Sequence, residues 1–191
     1  MVAKKGNILD RYQRTRDGRV VIEVATAKVE DLYNDFDKSA PHYKKDLEED
    51  LVDYLIDCVR DIGSEHFVLR FRFPGDNEEP LRQRVRASLA NYFDYLREIE
   101  ARSLAQMVRS SVIFLIIGLI VLSLSIWVNR IPGITDTVSG AVFAEGLTIA
   151  AWISLWESLA TFAINWPPRK RQIKRCERLA SALVFFGDDE K

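Results

Sequence analysis

Residues 110–128 read SSVIFLIIGLIVLSLSIWV, nineteen residues without a charge. A helix of this length spans most of the ~30 Å hydrocarbon core of a bilayer, because an α-helix rises ~1.5 Å per residue. A second apolar run at 141–166 follows a polar loop at 129–140, and its only charges are Glu145 and Glu157. The sequence therefore predicts a membrane hairpin of two transmembrane helices, 110–128 and 141–166.

The overall composition conceals this hairpin. The net charge of −1 and the mean hydropathy of −0.09 are typical of a soluble protein. Outside the hairpin, residues 1–76 are enough for one small domain, which leaves little core for a complete enzyme fold. The basic N-terminal segment lacks an apolar run, so we expect no signal peptide and membrane insertion directed by the hairpin itself.

Basic residues flank the hairpin on both outer sides. Arg102 and Arg109 precede the first span, and the run PPRKRQIKRCER at 167–178 follows the second. The loop between the spans contains Arg130, which Asp136 offsets. By the positive-inside rule, both termini face the cytosol and the loop is extracytosolic. We expect a multi-pass protein of a bacterial inner membrane or a plasma membrane.

Residues 1–76 are predicted to form a cytosolic α/β domain, with the order β-α-β-α once the following helix is included. Residues 19–25 are a short β-branched run with Val20, Ile22 and Val24 on one face, and residues 66–73 alternate between two faces, so both are predicted to be strands. Between them, residues 44–62 place apolar side chains at three-to-four spacing, which predicts an amphipathic helix that Gly63 ends. A helix between two strands indicates a right-handed parallel crossover.

Two strands make too small a sheet to be stable alone. Either residues 12–15 or residues 32–36 supply another strand, or a strand edge pairs with a second copy of the chain. We favour self-association, because the aromatic face of 66–73 exceeds what one helix would cover. The apolar segment 179–186 could fold back on the domain or lie in the membrane interface.

A long helix is predicted to join the domain to the membrane. Its pattern begins near residue 79, and no Gly or Pro lies between Leu81 and Gly118. Residues 77–109 would form a stalk that continues into the first span. One face of this stalk has spacing typical of a short coiled-coil seam, although the same face could pack on the domain. Its residues are Leu89, Tyr92, Leu96, Ile99 and Ser103.

Residues suited to catalysis or metal binding are sparse. The chain has two histidines, His42 and His66, and two cysteines on separate segments. It lacks a phosphate-binding Gly-rich loop, a paired Cys-x-x-Cys motif and a Gly-x-Ser-x-Gly turn. Residues 35–46 resemble a calcium loop in part, but Ala40 stands where that loop requires Gly. We expect a non-enzymatic protein without catalytic residues, cofactor or metal.

The basic segment 167–191 lies next to the second span. Each cation near anionic headgroups contributes on the order of 1 kcal/mol, so we expect lipid contact. Nucleic-acid binding is not expected, because the segment lacks interleaved aromatic residues and the rest of the domain is acidic. The predicted headgroup contacts are Arg169, Lys170, Arg171, Lys174, Arg175 and Arg178.

Glu157 is the most unusual residue of the second span. It lies ~13 Å from Trp166 along a regular helix, and a charge at that depth costs several kcal/mol. The first span offers no cation and has Gly118 at the corresponding depth. Small polar residues on the same helix are typical of contacts between membrane helices. The predicted pore or interface set is Glu157, Thr148, Ser154, Ser158, Thr161 and Gly118.

Two hypotheses for function follow. The first is a homo-oligomeric scaffold or signalling assembly whose cytosolic domain recruits a protein partner. The second is an oligomeric ion channel or ion-responsive protein that uses Glu157. Glu157 could also be a neutral acid that only packs against a neighbouring helix.

Overall fold

The computed structural model describes residues 8–34, 45–73, 79–131, 133 and 137–187. The fold is mixed α/β, with one small sheet and long helices. The chain divides into two compact units. The α/β unit comprises Met1–Glu98 and Ile173–Lys191, and the hairpin unit comprises Ile99–Gln172.

The α/β unit contains a four-stranded sheet in the order β1-β2-β3-β4. Its strands are β1 (Gln13–Arg14), β2 (Val20–Ala25), β3 (Phe67–Arg72) and β4 (Leu183–Phe186). Strand β1 is antiparallel to β2, whereas β2, β3 and β4 run parallel. The predicted parallel pairing of the two main strands is confirmed, with Val20 opposite Phe67.

The extra strand on the β2 side comes from the first of the two predicted segments, 12–15. The second candidate, 32–36, contributes only an isolated bridge between Tyr33 and Leu47, and residues 35 and 36 lie outside the described residues.

Helix α1 (Glu49–Ile62) covers the sheet, as its periodicity predicts. It begins five residues later than the predicted 44, and Gly63 ends it with a φ of 68°, a backbone conformation that favours glycine. The first turns of the next helix add Val85, Leu89 and Phe93 to the same core. The apolar face of the predicted stalk thus packs on the domain at Leu89, which is 2% exposed.

Strand β4 is absent from the sequence prediction, which left 179–186 as an apolar segment of undecided position. In the structure this segment folds back and pairs with β3, and the Gly187 amide donates to the Phe71 carbonyl at 2.8 Å. The Phe186 side chain is 1% exposed, and its ring centroid lies 6.1 Å from that of Phe71. The aromatic face of β3 is therefore covered from within the chain.

The outer edge of β4 is also protected. Arg86 donates from Nε to the Val184 carbonyl at 3.2 Å, and its guanidinium lies 5.1 Å from the centroid of the Phe186 ring. A charged side chain that occupies a carbonyl of an edge strand disfavours pairing with another sheet. Strand β3 lies between β2 and β4, so the chain itself covers part of the aromatic face that led us to favour self-association. Self-association itself stays a prediction.

Helix α2 (Glu79–Val128) is continuous over 50 residues, so it covers both the predicted stalk and the first predicted span. Helix α3 (Val138–Ala160) begins at a cap in which the Thr137 side chain accepts from the Gly140 amide. Two helical stretches, Glu79–Val128 and Val138–Ala180, are long and apolar enough to cross a membrane.

A π-helical segment, Thr161–Asn165, joins α3 to α4 (Trp166–Ala180). Pro167 and Pro168 follow it, and each lacks the amide hydrogen that a regular helix would donate to the preceding turn. The Trp166 amide donates to the Thr161 carbonyl, one residue further back than in an α-helix. The wider turn thus accommodates the two prolines, and the chain stays helical into the basic segment.

Candidate functional site: the helical hairpin

The two apolar helices, α2 and α3, meet along a seam of small side chains. On α2 the buried seam residues recur every seven positions: Ser111, Gly118 and Ser125. On α3 the same spacing holds for Ala144, Ala151 and Ser158. Small residues at heptad spacing let the two backbones approach closely. A Cβ added at Gly118 would lie 3.1 Å from the Leu155 side chain and 3.2 Å from its backbone nitrogen.

Hydroxyl groups bond across this seam. Ser158 donates to the Ser111 carbonyl at 2.7 Å, and Ser125 Oγ lies 2.6 Å from Thr148 Oγ1. Thr148 Oγ1 also donates to the Ala144 carbonyl of its own helix at 3.1 Å. In an apolar environment, the bonds across the seam satisfy the hydroxyls of Ser158 and Ser125. Three residues of the predicted pore or interface set, Thr148, Ser158 and Gly118, therefore lie on the seam within one chain, and Thr161 is also buried.

The remaining two residues of that set lie elsewhere. The Ser154 hydroxyl donates to the Ala150 carbonyl of its own helix at 3.0 Å. The Glu157 side chain is exposed among apolar neighbours, including Ile153 and Trp156, which are 65% and 69% exposed. Sequence reasoning grouped Glu157 with the small polar stripe, but the structure separates the carboxylate from the residues that form the seam.

The contacts across the seam also set the depth of Glu157. A Cβ at Gly118 would lie 3.2 Å from the Leu155 backbone nitrogen, and Glu157 follows Leu155 by two residues. Gly118 and Glu157 thus differ by ~3 Å along the helix axes.

The open end of the hairpin, opposite the loop, is joined by an ion pair. Arg169 Nη1 lies 3.1 Å from Glu100 Oε2 and 3.1 Å from the Ser103 hydroxyl. Half-exposed ion pairs of this kind contribute a few tenths to about 1 kcal/mol. Arg169, predicted to contact lipid headgroups, thus has a protein partner within the hairpin unit.

Arg178, another predicted headgroup contact, makes its contacts within the α/β unit. Its guanidinium donates to the carbonyls of Gly63 and Glu65 and lies 5.0 Å from the centroid of the Phe67 ring. Burial lowers the pKa of this guanidinium, which stays protonated at any physiological pH. The side chain caps the end of α1 and fixes the loop that leads into β3.

The other four predicted headgroup contacts lie on α4. Lys170, Arg171 and Lys174 are exposed, and Arg175 is half-buried. Arg171 Nε donates to the Pro167 carbonyl at 3.3 Å. The exposed cations are placed where solvent, or headgroups, can reach them.

The α/β unit has an open cleft of about 770 Å³ at the amino ends of β2, β3 and β4. It is lined by Asp17, Arg19, Glu65, His66, Arg178 and Ser181, among others. Arg14 and Glu65 form an ion pair of 2.8 Å beside it. Sequence reasoning missed this cleft, because its residues come from three loops that only the completed sheet brings together.

Two expectations about metals lie partly outside the structure. The calcium-like stretch 35–46 and His42 fall mostly or wholly outside the described residues. Within the described residues, no group of three or more His, Cys, Asp or Glu side chains is placed to hold a metal ion. Both cysteines there, Cys58 and Cys176, are buried, and they are not joined in a disulfide.

Comparison of the chain with protein-family models, curated proteins and solved structures gives no match.

Proposed function

We propose that the protein is a non-enzymatic, homo-oligomeric membrane scaffold whose cytosolic α/β domain binds a protein partner. The observation that carries this proposal is the pairing of β3 with β4. Strand β3 precedes the hairpin and β4 follows it, yet they share a sheet with Leu69 opposite Val184. Two segments of one sheet must lie on the same side of a membrane, and the basic flanks favour the cytosolic side.

The surface of the hairpin unit supports a membrane setting. Only 22% of the apolar window in α2 and 11% of that in the second helical stretch is buried. A helix in the core of a soluble protein would bury most of such a window. Because the exposed side chains are large and aliphatic or aromatic, lipid or further copies of the chain would cover them.

The cleft of the α/β unit supports partner binding. It lies at the amino ends of parallel strands, whereas small ligands of open α/β sheets bind beyond the carboxyl ends. Its lining includes cations, carboxylates and backbone groups. His66 is exposed and Arg19 is half-buried. Such a surface suits a polar polypeptide segment better than a small apolar ligand.

A labelling experiment tests the topology on which this function depends. The exposed residues Ser139, near the loop, and Lys170, on α4, form a matched pair for cysteine substitution. An impermeant maleimide should label Ser139→Cys in intact cells and Lys170→Cys only after permeabilisation. The unsubstituted chain is the control, because its two thiols are buried. Labelling of Lys170→Cys alone in intact cells would contradict the proposal.

The second candidate function is ion conduction through an oligomer, and the exposed position of Glu157 favours it. Glu157→Gln keeps hydrogen bonding but cannot ionise. If Glu157 lines an ion path, the variant should assemble normally and change cation selectivity or the pH dependence of flux in liposomes. An oligomer without flux in either form across a wide pH range would exclude this function and favour the scaffold.

A further inference from the structure

A groove lies at the open end of the hairpin, between α2 and the helical stretch that follows α3. Its volume is about 540 Å³. The π-helical segment Thr161–Asn165 ends at this groove, and π-helical turns within helices are frequent at functional sites. The lining combines charged, amide and apolar side chains, as ligand-binding clefts do. Its residues, all within the hairpin unit, are Glu100, Met107, Asn165, Pro168, Arg169 and Gln172.

The Arg169 guanidinium in this groove is oriented through one of its three nitrogens. Its Nη1 atom donates to Glu100 Oε2 at 3.1 Å and to the Ser103 hydroxyl at 3.1 Å. Within the described part of the chain, Nε and Nη2 of Arg169 make no hydrogen bond. These two atoms form one edge of the planar guanidinium, and such an edge binds two oxygens of a phosphate at once. The groove therefore presents a preoriented pair of donors to a phosphate group.

Glu100 places a negative charge beside this pair of donors. Only Oε2 of its carboxylate bonds to Arg169, and neither Oε1 nor the Asn165 side chain has a hydrogen-bond partner among the described residues. The Arg169 and Glu100 side chains are 46% and 22% exposed, so a ligand in the groove can reach both.

The balance of charge in the groove selects the kind of ligand. Among the described residues that line it, the charged ones are Arg169 and Glu100, so the lining has no net charge. A ligand with one negative and one positive group matches this lining. A purely anionic ligand would meet the Glu100 carboxylate without compensation.

The groove lies at the depth of lipid headgroups in the proposed membrane setting. Trp166 ends the second apolar run, and Trp side chains are enriched at the membrane interface. Arg169 follows Trp166 by three residues, so it lies ~5 Å further along the helix axis. The headgroup layer on each side of the hydrocarbon core is roughly 5–7 Å thick. Met107, which is closer than Glu100 to the apolar run of α2, adds an apolar contact to the groove.

We propose that this groove binds the headgroup of a zwitterionic aminophospholipid. The Nε and Nη2 edge of Arg169 binds two oxygens of the phosphate diester, and the headgroup ammonium donates to Glu100 Oε1 and to the side-chain oxygen of Asn165. A primary ammonium fits because it donates three hydrogen bonds, whereas the quaternary ammonium of a choline headgroup donates none. The inference rests on the membrane setting of the proposed function and goes beyond it by naming a lipid that the hairpin binds.

Lipid retention by the purified chain tests this site. The detergent-solubilised protein is incubated with equal amounts of dioleoyl phosphatidylethanolamine, phosphatidylcholine and phosphatidylglycerol and then analysed by native mass spectrometry. The ethanolamine lipid should be retained at least about tenfold more than either of the others, as expected for charge-assisted hydrogen bonds at both ends of the headgroup. Equal retention of the three lipids would overturn the proposal.

A soluble phosphate ester is the other possible source of the same chemistry. Glycerophosphoethanolamine carries the whole headgroup but lacks the acyl chains that Met107 and the neighbouring apolar surface would contact. At equal concentration it should leave the bound lipid in place. Displacement of the lipid by this ester would overturn the assignment of the groove to a membrane lipid.

Two substitutions separate the two halves of the site. Arg169→Lys keeps the charge but loses the planar fork, so retention of the ethanolamine lipid should fall about tenfold. Glu100→Gln removes the charge that binds the ammonium, so the preference for ethanolamine over choline should disappear. Lys170→Gln, at an exposed neighbouring position of α4, is the control and should change neither quantity.

The ratio of ethanolamine to choline lipid is a measurement that a merely structural ion pair would not alter. Unchanged retention in Arg169→Lys together with an unchanged ratio in Glu100→Gln would refute the site. Maleimide labelling of Ser139→Cys and Lys170→Cys keeps this result apart from the topology. Normal labelling without any lipid preference would exclude the lipid site and leave the scaffold in place.

Discussion

Replacing Phe186 with alanine is expected to destabilise the α/β unit by about 3–5 kcal/mol, the usual cost of removing a buried aromatic side chain. Phe186 is 1% exposed and packs between β3 and α2. Its ring lies 6.1 Å from Phe71, 6.2 Å from Phe73 and 5.1 Å from the Arg86 guanidinium. The substitution therefore removes contacts with three partners and leaves a cavity under the last strand.

The stability of the α/β unit can be measured through the reactivity of its two native cysteines. Cys58 and Cys176 are 5% and 0% exposed, so a thiol reagent reacts with them only when the unit opens. A loss of 3 kcal/mol should speed this reaction about 100-fold, since each 1.4 kcal/mol is a factor of ten. Leu183→Ala, at a 52% exposed position of the same strand, is the control and should change the rate little. Equal rates in both variants would mean that β4 contributes nothing to the stability of the unit.

Replacing Ser103 with proline should break α2 near the start of the hairpin unit. Ser103 lies within the continuous helix Glu79–Val128, and proline there removes one backbone hydrogen bond and clashes with the preceding turn, at a cost of about 3 kcal/mol or more. We expect amide hydrogens near residue 103 to exchange at least 100-fold faster than in the unsubstituted protein.

Ser103→Ala separates the backbone effect from the side-chain effect. The Ser103 hydroxyl accepts a hydrogen bond from Arg169 at 3.1 Å, and alanine removes that bond while keeping the helix. The alanine variant should therefore show near-normal exchange. Unchanged exchange and unchanged helicity in the proline variant would contradict a continuous α2 at residue 103.

The elements defined by local periodicity could be predicted from the sequence. Residues 19–25, 44–62 and 66–73 correspond to β2, α1 and β3 to within a few residues, except that α1 begins at Glu49. The long helix and the second apolar helix also follow from composition alone, because both are determined by runs of many residues. These elements are predictable because residues close together in the sequence determine them.

Features that depend on distant pairing could not be predicted in this way. Strand β4 has four residues and follows a basic helix, and its partner β3 lies more than a hundred residues earlier. The position of Glu157 required the register between two helices, which the bond from Ser158 to Ser111 sets. A heptad count of small residues in both spans would have indicated the seam and placed Glu157 outside it.

The hairpin interrupts the sheet, and this has a consequence for biogenesis. During synthesis, β1, β2 and β3 emerge first, and β3 keeps an uncovered aromatic edge until α2, the hairpin and α4 have followed. In the proposed membrane topology, the sheet can close only if β4 reaches the same side of the membrane as β3. A completed sheet would then report correct insertion of the hairpin, whereas a chain inserted with its ends on opposite sides would expose Phe71 to chaperones and proteases.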